Sequence, residues 1–403
     1  MSGTEVRPSG GFVNSVNAVC VPFQRPTMPD SRAIDRYFDR ARDAHFYSNG
    51  GPCALELQRR VEIRIGGGHA ILVNNATSGL MITARAVFGR QRSSGYVVVP
   101  SFTFAATATA LLWAGYEPLF CDVDPEGLHM DPDALSSLLR QYGDSVAGIL
   151  ACSTFGVAPR REVAFAWEAV SRRFGVPLIV DSAAGFGSEN EAGSVLGHQG
   201  VAEVFSFHAT KPFAVGEGGV ITTDDANLAK EIRSLINFGF NAERVIVGPA
   251  GINAKMPEIL CAIGLAVDDE FDTVLETRRG LAKEMATRLT RLGANVQPNL
   301  GRAAIQFMPI TVEEELRQHV LRKLESKGIE ARKYFDPALH MMATFADFPR
   351  GPLPVTETLT RTVVSLPMSN VLSRAQGSEI VQAVEDGIAS AGVEVACSSE
   401  LVR

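Results

Sequence analysis

The feature that most constrains the fold is a repeated unit: a short apolar run, a small or polar turn, and then a helix-forming segment. Clear examples are HAILVNNATSGLMITARAVF at residues 69–88 and GYVVVPSFTFAATATALLWAG at residues 95–115. Runs this rich in Val, Ile and Leu favour strands that are buried on both faces. Their alternation with helices is typical of a parallel sheet covered by helices. The sequence therefore predicts an α/β fold.

The pattern changes in the last third of the chain. A long charged helix is predicted at residues 268–293, followed by a strand candidate, AAIQFMPITV, and a helix candidate, EEELRQHVLRKLESKG. The first predicted helix begins at SRAIDRYF, with Ser31 as its N-cap. We expect three parts: a lead-in rich in Gly, Pro and Ser over 1–30, a large α/β domain over 31–265, and a small α+β domain over 266–403.

Composition narrows the partners and the location. The formal net charge of −7 argues against nucleic acid as the main partner, because phosphate backbones are bound by basic surfaces. No apolar run approaches the roughly 20 residues that cross a bilayer, and the N-terminus lacks the pattern of a secretion signal. The six cysteines are scattered without metal-ligand spacing, which favours thiols in a reducing compartment. We expect a cytoplasmic protein that binds no nucleic acid, membrane or metal.

Lys211 is the residue that most strongly suggests chemistry. The chain has only seven lysines, and most of the others lie in charge-rich helical segments. Lys211 instead follows a strand-like run and precedes a Gly-rich turn in EVFSFHATKPFAVGEGGV. A lysine surrounded by apolar groups has a lowered pKa and becomes an amine nucleophile. Taken alone, Lys211 would more often be an ordinary lysine at the end of a strand.

Other residues supply what a lysine needs to hold pyridoxal phosphate: an anion site, a carboxylate for the pyridinium nitrogen, and a flat apolar surface. Asp181 ends an apolar strand, and Thr77 and Ser78 lie in a strand-to-helix turn where a phosphate can bind. Ser206 offers a further hydroxyl, and Phe104 offers a ring. Alone, the aspartate would also fit a metal ligand or an N-cap, and the phenylalanine would fit a core position. Together they predict a pyridoxal-phosphate site.

These motifs resemble those of the fold-type-I sugar aminotransferases of the DegT/DnrJ/EryC1/StrS family. The resemblance runs in order from SNGGPCALE near residue 48 to VVSLPMS near residue 368. SFHATKPFAVGEGG is similar to the lysine motif of the family, GINAKMPEILCAIGLA to its asparagine motif, and ARKYFDPALH to a segment near the substrate. The resemblance implies a mostly parallel seven-stranded sheet, a small C-terminal domain, and a homodimer with shared active sites.

The resemblance also implies a role for each matching residue. Lys211 is implied as the Schiff-base lysine and proton shuttle, and Asp181 as the partner of the pyridinium nitrogen. Lys255 stands where the family usually has arginine. The other implied contacts are Phe104 to the cofactor ring, Thr77, Ser78 and Ser206 to its phosphate, Asn253 to the phosphate of the neighbouring subunit, and Lys255, Lys333 and Tyr334 to the substrate.

Two departures from the family pattern concern the substrate rather than the cofactor. Three residues after Asp181 the family usually has Gln or His, which binds the phenolic oxygen of the cofactor, whereas this chain has Ala184. Where the family often reads His-x-x-Gly, the chain has Cys152-Ser-Thr-Phe-Gly156. A pocket changed in this way would suit an unusual acceptor.

The implied reaction is a two-stage transamination. An amino donor, expected to be L-glutamate, converts the cofactor to pyridoxamine phosphate, which then aminates a nucleotide-linked keto sugar, expected to be of the 4-keto-6-deoxy type. A dehydrating relative would carry histidine in place of Lys211, and a regulatory protein without turnover would lose Lys211 or Asp181. An aminotransferase acting on a cyclitol or another cyclic ketone is the alternative that the motifs leave open.

Overall fold

The computed structural model describes residues 20–89, 95–246 and 248–400, and it contains the predicted sheet. The strands are β1 (His69–Val73), β2 (Tyr96–Pro100), β3 (Glu117–Cys121), β4 (Val146–Cys152), β5 (Leu178–Asp181), β6 (Ala202–Ser206) and β7 (Gly219–Thr223). They lie in the order β1-β7-β6-β5-β4-β2-β3, and only β7 runs antiparallel to its neighbours. The predicted α/β fold with a mostly parallel seven-stranded sheet is confirmed. Residues 1–19 of the expected lead-in and the side chain of Cys397 lie outside the described part of the chain.

Helices cover both faces of this sheet. They are α1 (Ser31–Asp43), α2 (Pro52–Arg64), α3 (Ala76–Phe88), α4 (Ala105–Ala114), α5 (Pro132–Tyr142), α6 (Arg161–Phe174), α7 (Ala226–Leu235) and α8 (Glu258–Arg291). Successive strand residues point to opposite faces. Val97 and Val99 accordingly pack with α3 and α4, whereas Val98 packs with Leu135 of α5 and Trp167 of α6.

The cap of α1 differs from the prediction by one residue. Asp30, not Ser31, is the N-cap, and its Oδ1 accepts a hydrogen bond from the backbone nitrogen of Ala33 at 2.9 Å. A carboxylate at this position satisfies an amide of the first turn and also interacts favourably with the helix dipole. Because Ser31 already lies within the first turn, it cannot serve as the cap.

A buried carboxylate fixes the start of α2. Glu258 accepts hydrogen bonds from the backbone nitrogens of Gly51 at 2.9 Å, Cys53 at 2.7 Å and Ala54 at 3.1 Å. These amides belong to the helix N-terminus, where they have no partner within the helix. Glycine is needed here because a Cβ on Gly51 would lie 2.9 Å from the carboxyl carbon of Glu258. The contact ties α2 to α8.

The C-terminal part is a small α+β arrangement. It contains β8 (Met308–Thr311), α9 (Glu314–Ser326), α10 (Pro354–Thr362), β9 (Val363–Leu366) and α11 (Arg374–Glu400), with β8 and β9 antiparallel. The expected domain boundary at residue 265 falls inside α8, and Val21 of the expected lead-in forms a bridge with Ile329. The division into domains therefore stays a proposal. None of the described helices is both long and apolar enough to cross a membrane.

Candidate active site

A single cavity brings together the residues at the carboxyl end of the sheet. It has a volume of about 630 Å³ and lies where β4, β5 and β6 end and where α3 and α4 begin. Ligand sites of open α/β sheets form at these strand ends. The predicted site residues that line it are Thr77, Ser78, Phe104, Asp181, Ser206, Lys211 and Tyr334.

The amine of Lys211 faces this cavity. The residue follows β6 in a tight turn, in which its backbone nitrogen donates to the carbonyl oxygen of His208 at 2.8 Å. Its Nζ donates to Oε1 of Gln306 at 2.8 Å. Burial lowers the pKa of Lys211 to about 8, and the negative charge of Asp181 opposes this shift. A lysine with such a pKa is neutral often enough near physiological pH to act as a nucleophile and as a base.

Asp181 is the last residue of β5, and its side chain is buried in the same cavity. Its Oδ2 accepts a hydrogen bond from Oγ1 of Thr107 at 2.8 Å, and its Oδ1 accepts one from the backbone nitrogen of Ala183 at 3.0 Å. Burial raises the pKa of Asp181, and the two hydrogen bonds oppose the rise. A buried carboxylate is stabilised in its charged form when a protonated group lies beside it. A protonated ring nitrogen is such a group.

The N-terminus of α3 forms the anion-binding end of the cavity. Asn75 caps the helix, because its Oδ1 accepts a hydrogen bond from the backbone nitrogen of Ser78 at 2.8 Å. Thr77 and Ser78 place two hydroxyl groups in the first turn, and Ser206 adds a third from the end of β6. The strand β7 packs closely against the start of α3, since a Cβ on Gly219 would lie 3.0 Å from the backbone nitrogen of Ala76. Helix N-termini with such donors bind phosphate groups.

Phe104 directly precedes α4, and its side chain is 60% exposed at the edge of the cavity. The interpretation of this residue as part of the core is therefore wrong. An exposed aromatic ring beside a polar cavity offers a face for stacking against a planar ligand.

Pyridoxal phosphate fits the groups that meet in this cavity. The helix N-terminus and its hydroxyl groups suit a phosphate, the buried carboxylate suits a protonated ring nitrogen, and the amine of low pKa suits an aldehyde. The alternative of a metal ligand at Asp181 lacks support, because no group of three His, Cys, Asp or Glu side chains suited to a metal occurs among the described residues.

Three predicted site residues lie away from the cavity. Asn253 is exposed and forms a bridge with Asn237, close to the anion-binding turn. Nζ of Lys255 donates to Oδ1 of Asn237 at 2.7 Å and lies 5.1 Å from the ring centroid of Phe238. Lys333 is exposed beside Tyr334. The roles expected of Asn253, Lys255 and Lys333 stay predictions, since their expected ligands belong to a neighbouring subunit or an open cleft.

The structure adds cavity residues that the sequence did not reveal. Phe155 and Phe335 stack with ring centroids 5.0 Å apart and an interplanar angle of 8°, and Phe307 packs against Phe155 at 5.4 Å. Together with Tyr334 they form an aromatic wall. Gln306 was detectable in the sequence, because it is the only polar residue in AAIQFMPI. Phe155 was not, since it lies in a turn with a φ of +61°.

The two departures from the family pattern lie side by side. Gly156 has a φ of +79°, and a Cβ on it would lie 2.2 Å from the carbonyl oxygen of Ala184. Cys152 accepts a hydrogen bond from Oγ1 of Thr103 at 3.3 Å, and burial raises the pKa of its thiol. The thiol is therefore neutral at physiological pH, and this side of the cavity is less polar than a Gln or His would make it.

Comparisons with known proteins show which family and which solved structures the chain is similar to. A model of the DegT/DnrJ/EryC1/StrS aminotransferase family matches residues 30–385. Protein Rv3402c of Mycobacterium tuberculosis is 33% identical over 373 residues, 91% of this chain and 90% of that protein. The dTDP-4-amino-4,6-dideoxy-D-glucose transaminase of Shigella dysenteriae is 28% identical over 325 residues, 78% of this chain and 84% of that protein. The crystal structure of DesI in the presence of its TDP-sugar product is 31% identical, with a TM-score of 0.84 over 96% of this chain and 97% of that chain.

Proposed function

Because the chain belongs to the DegT/DnrJ/EryC1/StrS aminotransferase family and is a pyridoxal-phosphate-dependent transaminase, we propose that it aminates a keto sugar carried on a nucleotide. The observation that carries this proposal is the cavity in which Lys211, Asp181 and the N-terminus of α3 meet beside the aromatic wall. The names of two compared proteins support it, since each states a nucleotide-linked sugar.

In this proposal, each residue of the cavity has a separate role in transamination. When bound, the cofactor supplies an electron sink and carries the amino group from donor to acceptor. Thr77, Ser78 and Ser206 would bind its phosphate, and Asp181 would hold its ring nitrogen protonated. The amine of Lys211 would attach to it and, once released, would move a proton at the substrate carbon that bears the nitrogen. A pKa of about 8 suits a group that must both accept and donate this proton.

The acceptor we propose is a 4-keto-6-deoxy sugar. Phe155, Phe307, Tyr334 and Phe335 give the cavity an apolar wall, and Ala184 adds a methyl group on the side of the departures. A methyl substituent on a sugar is stabilised by such a wall, whereas a hydroxymethyl group would lose hydrogen bonds to water there. The Shigella relative supports this choice, because its name states a 4-amino-4,6-dideoxy sugar.

L-glutamate is the amino donor we propose, on the resemblance of the lysine and asparagine motifs to those of the family. A donor with two carboxylates needs cationic partners. Lys211 is the one lysine or arginine among the residues that line the described cavity. Lys255, which would reach the cavity of a second subunit, supplies a further positive charge in this proposal.

The partner we propose is a second copy of the chain. Large apolar side chains are exposed in the segment that precedes Asn253: Phe238 is 44% exposed, Val245 52%, Ile246 50% and Ile252 43%. Clustered apolar exposure of this kind is typical of an interaction surface. A symmetric dimer would cover the segment and would bring Asn253 toward the phosphate end of the other cavity.

A cytoplasmic location is part of the same proposal. Cys53, Cys121, Cys152 and Cys261 are buried thiols that form no disulfide. Thiols kept in this state are typical of a reducing compartment.

The decisive experiment is to convert the purified enzyme to its pyridoxamine form and to offer it a panel of ketones. Loss of the pyridoxamine absorbance reports amination. We expect a nucleotide-linked 4-keto-6-deoxy sugar to react fastest, and the same sugar without its nucleotide to react far more slowly. If a nucleotide-free cyclitol ketone reacts as well as any sugar nucleotide, the proposed acceptor is wrong and the cyclic-ketone alternative is correct.

A further inference from the structure

Gln306 holds the amine of Lys211 from the opposite side of the cavity. It lies two residues before β8, in the C-terminal part, and its side chain is buried. Both ends of its amide are used: Oε1 accepts from Nζ of Lys211 at 2.8 Å, and Nε2 donates to Oγ1 of Thr210 at 3.1 Å. A buried amide satisfied at both ends has one orientation, because any rotation leaves a polar atom without a partner.

Neighbouring hydrogen bonds fix which end of the amide faces the lysine. In the tautomer whose proton lies on Nε2, Nδ1 of His208 accepts from the backbone nitrogen of Thr210 at 3.3 Å. The hydroxyl of Thr210, 2.9 Å from the same Nδ1, must therefore donate to it. The hydroxyl oxygen is left to accept from Nε2 of Gln306, which turns the amide oxygen toward Lys211. The reversed amide would place its oxygen against the oxygen of a hydroxyl that has already donated its proton, so two acceptors would meet.

The orientation of the Gln306 amide determines where the lone pair of the free Lys211 amine points. A neutral lysine amine has two N–H bonds and one lone pair. Since one N–H bond is held by Oε1 of Gln306, the lone pair is directed away from Gln306. The amide oxygen carries no net charge, so it orients the amine without the rise in pKa that a carboxylate would cause.

We propose that Gln306 is a positioning residue, which holds the amine of Lys211 while it is not attached to the cofactor and keeps its lone pair available for proton transfer. The proposal rests on the proposed role of Lys211, and it deepens that role. Gln306 acts only through the lysine, by fixing where the amine lies and where its lone pair points. It also links the reaction to the C-terminal part, which supplies the glutamine.

Two variants test the proposal, and a third is the control. Gln306→Glu introduces a negative charge beside the amine, and Gln306→Met keeps the length of the side chain but removes the acceptor. Gln297→Met is the matched control, because Gln297 is equally buried and donates to the carbonyl oxygen of Gly127 at 2.6 Å without touching Lys211. Thermal unfolding shows whether each variant folds.

The first measurement is the pKa of Lys211 in the full-length protein, without cofactor and when loaded with pyridoxamine phosphate. Labelling with trinitrobenzenesulfonate over a range of pH, followed by peptide mapping, gives this pKa, since only the neutral amine reacts. We expect Gln306→Glu to raise it by about one to three units. Gln306→Met should lower it, because the charged amine loses an acceptor, and Gln297→Met should leave it unchanged.

The second measurement separates kcat from KM. A misplaced amine slows proton transfer, so Gln306→Met should lower kcat by about tenfold to a hundredfold while KM changes little. The proposal is overturned if Gln306→Glu leaves the pKa of Lys211 unchanged, or if Gln306→Met loses no more activity than Gln297→Met. A wrong acceptor would not disturb the labelling result, because labelling needs no substrate. A reactive-lysine role for another residue would show as a pyridoxyl label elsewhere after borohydride reduction.

Discussion

The two halves of the cavity are built from different kinds of structure. The half that we propose binds the cofactor, called the cofactor half, consists of Thr77, Ser78, Asp181, Ser206 and Lys211, which lie at strand ends, at the start of α3, or in the turn after β6. The half that we propose binds the acceptor, called the acceptor half, consists of Phe155, Phe307, Tyr334 and Phe335, which lie in turns or in segments of the C-terminal part. The first half is positioned by the sheet, and the second by loops.

With these proposed roles, the difference would let the fold keep its chemistry while its acceptor changes. Asp181 pairs with β4 and β6, and Ser206 pairs with β7, so neither residue can move without disturbing the sheet. Loops carry no such constraint and vary readily. Phe155, with its φ of +61°, belongs to a turn that can be rebuilt without altering β4. Substitutions in the cofactor half should therefore slow the reaction of both donor and acceptor. Substitutions in the acceptor half should slow the reaction of the acceptor only.

The largest effect is expected from Lys211→Ala. Without the amine no group remains at this position to move the proton, so kcat should fall by roughly a thousandfold or more. Steady-state kinetics measure the loss, while cofactor absorbance after gel filtration should show weak residual binding. In the parent enzyme, borohydride reduction and peptide mapping should place the pyridoxyl label on Lys211. A label on any other lysine contradicts the assignment.

Asp181→Asn is the second test of the cofactor half. The amide keeps the shape of the side chain but cannot keep the ring nitrogen protonated, so kcat should fall about a hundredfold for donor and acceptor alike. Equal losses in the two half-reactions, measured by stopped-flow absorbance, would support the division into halves. Transamination at the parent rate would rule out the role of Asp181.

The same variant has an opposite effect on stability. Because burial raises the pKa of Asp181 in the folded protein, the folded state holds its proton more tightly than the unfolded state. The stability of the cofactor-free parent should therefore fall as the pH rises above the unfolded pKa of about 4, and Asp181→Asn should remove that fall. Thermal unfolding at several pH values measures it. An identical pH dependence in the two proteins would contradict the assigned environment.

The sequence predicted where the residues of the cofactor half lie, for the same reason that makes this half rigid, and their roles stay predictions. An apolar run that ends in Asp181 or Ser206 places that residue at the edge of a parallel sheet, whatever the loops do. Phe155 and Phe335 could not be paired, because their contact depends on the path of two loops that are about 180 residues apart in the chain. The cap at Asp30 was missed because Asp and Ser are both good caps and stand next to each other.

If the active site is shared between subunits, mixing two inactive variants should restore part of the activity. Lys211→Ala and Asn253→Ala each impair a homodimer, but a hybrid dimer contains one site with both parent residues if Asn253 crosses the interface. Mixing equal amounts and allowing exchange should therefore restore up to about a quarter of the parent activity. Size-exclusion chromatography with differently tagged subunits confirms the exchange. Full exchange without any recovery would show that Asn253 serves its own chain.

Phe335→Leu should separate the two halves most clearly. Replacing the ring reduces the apolar surface that the wall offers to the acceptor, and a loss of about 1 kcal/mol of binding energy should raise KM for the acceptor roughly fivefold. The donor half-reaction should keep its rate, because the proposed partners of the donor, Lys211 and Lys255, do not belong to the aromatic wall. Stopped-flow measurement of each half-reaction provides the comparison within one variant. An equal effect on both would mean that the aromatic wall supports the whole cavity rather than the acceptor.

The smallest expected effect belongs to Lys255→Ala. Burial lowers the pKa of Lys255, and its Nζ already donates to Oδ1 of Asn237, so one of its N–H donors is used within its own chain. A lysine is a point charge without the two-pronged geometry of arginine, and a partly solvated contact to a pyrophosphate contributes up to about 1 kcal/mol. We expect KM for a nucleotide-linked acceptor to rise about threefold, and more than KM for glutamate. Lys230→Ala is the control, because Lys230 is exposed on α7 and does not line the cavity that holds Lys211. If KM rises by the same factor with a nucleotide-free acceptor, Lys255 does not bind the nucleotide. The acceptor half then lies entirely within the aromatic wall.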